Sequence, residues 1–160
     1  MIYLLIAAMV FAVDYLLKKQ AGKLLKDHTI REVAGDKILL QKVENKGFAG
    51  GLLKKNPKDV LCGSAAAVGA TFVVFLGYLL SGAGALQKLG SAIVFGGGLN
   101  NLAERRKKGS VTDYFSLNVK EEKIRKLVFN FSDICIFLGT LLICLGEIVS
   151  FIKEVKRKKK

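Results

Sequence analysis

Two isolated aspartates carry the chemistry most open to this chain. Asp113 lies in "GSVTDYF", residues 109–115, and Asp133 ends "FNFSD", residues 129–133. Two carboxylates brought together in a poorly solvated pocket cannot both ionise cheaply, so they share a proton. The charged one takes a proton from water, and the protonated one donates to a peptide carbonyl. That is aspartic-protease chemistry, and it needs no metal, serine or cysteine. Each residue also has a plainer reading. Asp133 opens an apolar segment, where a helix N-terminus favours an acid, and Asp113 fits a solvated turn.

Other polar residues repeat at helical spacing. Asn130 and Asp133 share a helix face, although Asn130 also suits an N-cap. Asn101 and Arg105 are four apart, and Arg105 also suits a helix C-terminus. Asp14 and Lys18 have the same spacing and fit a snorkelling ion pair.

The elements that position these residues are apolar. The sequence predicts helices at about 1–17, 60–80, 86–103 and 131–152. A spanning helix needs about 20 apolar residues, which the second and fourth segments satisfy directly. The first segment lacks a basic leader and is interrupted by Asp14, so a retained helix is preferred to a cleavable signal peptide. Between the first two segments, about 29–53, the pattern reads as strand around a Gly35-Asp36 turn and predicts a small sheet on the membrane face. "GGG" at 96–98 fits a close helix contact. The fold class is therefore an all-α membrane protein: a four-transmembrane-helix bundle with a small β-sheet in its first loop, forming a single domain over 1–160. Counting spans puts loops one and three on one face. Asp14, Asn45, Asn101, Arg105, Asp113, Asn130 and Asp133 then gather there.

Composition agrees. Hydrophobic residues make up 51 % of the chain while its net charge is +13. Long apolar runs between basic loops place the cations in the headgroup zone, against anionic lipid. Nucleic-acid binding is the weaker alternative, because no basic stripe carries interleaved stacking aromatics. The three cysteines lie in apolar runs, and an odd number completes no disulfide framework. One histidine, His28, and no CxxC argue against a metal site. No cofactor is expected.

The chain resembles the lipoprotein signal peptidase, or signal peptidase II, family. "GGLNNLAERRKKGSVTDYF" and "FNFSD" are similar to the family's blocks G-x-x-G-N-x-x-D-R, G-x-V-x-D-F and F-N-x-A-D. "DYLLK" at 14–18 resembles its D-x-x-x-K block, and "ENKGFAGGL" at 44–52 its N-x-G-A-A-F block. The resemblance implies a four-helix bundle with an extracytoplasmic sheet and a catalytic dyad of Asp113 and Asp133. It implies supporting roles for Asp14, Lys18, Asn45, Gly47, Asn101, Arg105 and Asn130. It also implies cleavage of bacterial prolipoproteins before a diacylglyceryl-modified cysteine, in the cytoplasmic membrane, by a protein expected to be a monomer among membrane lipids. Asn100, Glu104, Phe48, Tyr114 and Ser132 depart from the pattern, standing where the family has Gly, Asp, Ala, Phe and Ala. Two alternatives accompany this reading: a catalytically weak or specialised homologue that binds lipidated precursors, and a small structural or pore-forming membrane protein. The charge count opposes the implied orientation, since 19 of the 26 Lys and Arg lie in loops one and three.

Overall fold

The computed structural model describes residues 1–25, 29–47 and 56–159. Its elements run α1 (Ile2–Leu24), β1 (Arg31–Val33), β2 (Ile38–Asn45), α2 (Pro57–Leu80), α3 (Ala85–Lys108), β3 (Val111–Leu117), α4 (Glu122–Arg125), β4 (Val128–Phe129) and α5 (Phe131–Lys158). His28 and Phe48 lie outside the described residues, as does the end of the expected sheet beyond residue 47.

Long helices dominate, and α3 is the central one, packing against α1, α2 and α5. The glycine run explains how one helix serves three neighbours. A methyl group at Gly96 would sit 2.4 Å from the Ala7 carbonyl oxygen of α1. One at Gly97 would sit 3.0 Å from the Ser132 oxygen of α5, and one at Gly98 3.3 Å from Val68 of α2. Successive helical residues point about 100° apart, so three adjacent glycines open three faces. Further along, Gly90 of α3 and Gly139 of α5 cross backbone to backbone. A methyl on either would come within 2.7 Å of the other's carbonyl oxygen. Small residues at helix contacts are what membrane packing requires, since lipid gives apolar helices no solvent-driven reason to associate.

Two helices, α2 and α5, are long and apolar enough to cross a membrane. Only 22 % and 17 % of their apolar stretches are buried, so neither is the core helix of a soluble protein. Large side chains such as Val73, Phe137, Leu145 and Phe151 face outward.

The sheet is antiparallel in the order β1-β2-β3-β4. It is not confined to the first loop, as the sequence suggested. β3 and β4 come from the segment between α3 and α5, and β2 pairs with β3. Three of the four long helices also continue past their apolar runs. α1 reaches Leu24, α3 reaches Lys108 and α5 reaches Lys158. Backbone hydrogen bonding does not stop where side chains turn polar, and basic residues suit a helix C-terminus.

Candidate functional site

β3 delivers Asp113, and the first turn of α5 delivers Asp133. Asp113 is 3 % exposed, while Asp133 is half-buried. Its strand is set by the β2 register, in which Asn45 lies opposite Val111. Side chains two apart share a face of a strand, so Asn45 reaches Asp113 diagonally.

Asn130 joins the two aspartates. It caps α5 in a reciprocal box: its side-chain oxygen accepts from the Asp133 N–H, and its own N–H donates to Asp133 Oδ2, both at 3.0 Å. Its Nδ2 donates to Asp113 Oδ1 at 2.7 Å. Asn130 is thus an N-cap and, at the same time, a hydrogen-bond partner of both aspartates. Asn45 Nδ2 donates to Asp113 Oδ2, and Asn101 Nδ2 to Asp133 Oδ1, each at 3.1 Å. Every carboxylate oxygen of the pair therefore accepts an N–H. Burial, reinforced by the Asp133 carboxylate, pushes the Asp113 carboxyl up to about 7. The bonds from Asn130 and Asn45 and the charge of Lys18 hold it back from rising further.

A second polar group lies behind the pair. Lys18 bridges Asp14 at 2.9 Å and Glu104 at 3.1 Å, and donates to Asn100 and Asn101. All the ionised partners are buried or nearly so, and desolvated charges are tolerated only when paired in this way. Glu104 also accepts from the Thr112 hydroxyl at 2.7 Å, from the Thr112 N–H at 3.2 Å and from Lys108 at 2.8 Å. It thereby grips the residue next to Asp113. Arg105 donates to the Gly47 carbonyl at 2.7 Å and to Ser64 of α2 at 3.0 Å. The Gly47 N–H in turn donates to Asn45 Oδ1 at 3.0 Å.

The structure thus gathers Asp14, Lys18, Asn45, Gly47, Asn101, Arg105, Asp113, Asn130 and Asp133 into one connected region. Sequence reasoning did not name Ser64, Thr112, Glu104, Asn100, Tyr114 and Ser132 as members. For the last four a signal existed, because all four are departures from the family pattern and all four meet Asp14 or Lys18. Among the described residues, no group of three His, Cys, Asp or Glu is gathered as metal ligands.

The family model described as "Signal peptidase (SPase) II" matches residues 6–149. A lipoprotein signal peptidase of Clostridioides difficile is 30 % identical over 147 residues, covering 91 % of this chain and 93 % of that protein. One from Syntrophotalea carbinolica is 34 % identical over 151 residues, covering 89 % of each. The fold is also that of a solved bacterial membrane enzyme, with a TM-score of 0.79, 21 % identity and coverage of 99 % of this chain and 92 % of that one. An Asn-held aspartate pair, a matching profile over most of the length and relatives of this identity lead to one statement: the chain belongs to the signal peptidase II family.

Proposed function

We propose that this chain is a membrane aspartic endopeptidase that removes signal peptides from bacterial prolipoproteins, cutting before the diacylglyceryl-modified cysteine. The observation that carries the reading is Asn130, which binds a carboxylate oxygen of each aspartate. Asp113 and Asp133 form the dyad. The ionised member draws a proton from the attacking water, while the protonated member donates to the scissile carbonyl. Asn45, Asn101 and Asn130 aim the carboxylates. Asp14, Lys18, Gly47 and Arg105 hold the elements that carry them.

In this reading α1, α2, α3 and α5 all cross the cytoplasmic membrane as one domain, and the protein works as a monomer. α1 and α3, of 23 and 24 residues, match α2 in length. At about 1.5 Å per residue they reach across a hydrocarbon core of about 30 Å. Pairing of β2 with β3 supports a common face for loops one and three. That face is extracytoplasmic, with both termini inside. The basic residues there meet anionic headgroups, and the dense basic end of α5 holds the C-terminus in the cytoplasm. Cysteines introduced at the exposed Lys46 and Lys107, in a Cys-free background, should be labelled from outside the cell. Labelling from the cytoplasmic side alone would reverse the orientation.

The lipid on the substrate is expected to be required. Four helices and a small sheet offer little surface for gripping a flexible peptide. Each buried lipid methylene contributes about 0.8 kcal/mol, and acyl chains lying beside the helices would fix the depth of the scissile bond. The test is one precursor with and without its diacylglyceryl group, incubated with purified protein in liposomes and read by mass spectrometry. Cleavage of the lipidated form alone is expected. No cleavage of it would overturn the proposed function, and equal cleavage of both forms would point to a general intramembrane peptidase.

A further inference from the structure

The two hydroxyls that this chain carries where the family pattern has Phe and Ala converge on one carboxylate. Ser132 Oγ donates to Asp14 Oδ2 at 2.5 Å, and Tyr114 OH donates to Asp14 Oδ1 at 3.5 Å. Ser132 and Asp14 are both fully buried. The Tyr114 oxygen also accepts from the Phe131 N–H at 3.0 Å. Phe131 is the first residue of α5, and its N–H is one of the donors that a helix start leaves without an intrahelical partner. The phenol therefore satisfies the helix end and passes the connection to Asp14.

Asp14 is in turn paired with Lys18, and Lys18 donates to Asn101, which donates to Asp133. Two routes thus run from the Asp14–Lys18 pair to Asp133. One passes through the backbone of α5's first turn, by way of Tyr114 and Ser132. The other passes through the Asn101 amide. Tyr114 is also the neighbour of Asp113 on β3, so the same phenol ties the strand of one aspartate to the helix of the other. Two unrelated changes have no physical reason to end on opposite oxygens of a single buried aspartate.

We propose that Tyr114 and Ser132 are positioning residues of the dyad, a pair of hydroxyls that fasten the first turn of α5, and Asp133 with it, to the Asp14–Lys18 ion pair. The inference rests on the aspartic-dyad reading and deepens it. Neither side chain touches substrate in this scheme. Removing either should misplace Asp133 slightly, without altering what the enzyme binds.

The experiment compares wild type, Tyr114→Phe, Ser132→Ala, the double variant and Asp113→Asn on a lipidated precursor, each purified and checked for an unchanged melting temperature. Phe and Ala are the residues of the family pattern at these positions, so the variants should fold. Each single change is expected to lower kcat about tenfold with KM within about twofold, in keeping with the cost of small misplacements. The double variant should fall less than the product of the singles, because both act through Asp14. A double variant within about twofold of wild-type kcat overturns the inference, and so does a rise in KM with kcat unchanged. If wild type cleaves and Asp113→Asn does not, such a result removes the positioning role alone. If wild type and Asp113→Asn behave alike, the dyad reading fails and takes this inference with it.

Discussion

Asparagine in place of either Asp113 or Asp133 is expected to reduce cleavage of a lipidated precursor by at least about 10²–10⁴-fold, the usual contribution of general acid–base catalysis. An amide matches a carboxylate in shape but cannot exchange a proton with water or a scissile carbonyl. The pH dependence should report the same pair. Burial and the neighbouring carboxylate place the Asp113 carboxyl at about 7. Below that pH one proton is shared, and an acid and a base are both present. As pH rises through about 7 the shared proton is lost and kcat should fall, a limb that belongs to the pair rather than to one residue. Folding raises this carboxyl from 3.8 to about 7. Its contribution to stability is therefore full at low pH and declines across that window as pH rises. Near-normal turnover by either Asn variant, or a flat profile through neutrality, would refute the dyad.

Arg105→Ala is expected to cost about 10²-fold in kcat/KM, the scale on which misplacement away from the reacting atoms acts. The guanidinium holds the Gly47 carbonyl and the Ser64 hydroxyl, and Gly47 holds Asn45, which donates to Asp113. Truncation leaves a buried carbonyl without this donor and frees the segment that carries Asn45. Lysine cannot replace the planar fork, because its single ammonium does not reach two partners in fixed directions. Arg105→Lys should therefore recover only part of the loss. Wild-type activity of Arg105→Ala in the lipidated-precursor assay would remove Arg105 from the site.

Much of this arrangement was legible before the structure. Apolar runs located the four long helices, because burial and lipid contact both select apolar side chains. The glycine run at 96–98 announced close helix contact, since only a missing Cβ permits it. The ends of the helices were not legible, because hydropathy marks the apolar zone and not the hydrogen-bond ladder, which continues through Lys19–Lys23 in α1 and Arg106–Lys108 in α3. The strand pairing of Asp113 was not legible either. Its partner β2 lies some 68 residues earlier, and short-range pattern carries no record of such a contact. The polar residues behind the aspartates carry no spacing rule of their own. Tyr114 and Ser132 stood out only as departures from the family pattern and Thr112 not at all, and their shared partners reveal what they hold.

The backbone crossing of α3 and α5 has a consequence for how this sequence can change. Alanine favours a helix over glycine by about 0.8–1 kcal/mol, so Gly→Ala exchange is a common way to harden a helical protein. At Gly22, Gly69 and Gly77 the added methyl meets no neighbouring atom within 4 Å, and that route is open. At Gly90, Gly96 and Gly139 it meets backbone within 2.7 Å, and the route is closed. Backbone, unlike a side chain, has no smaller substitute. No second exchange on the facing helix can make room, so variation is channelled to the lipid-facing rim while the crossing stays fixed in composition.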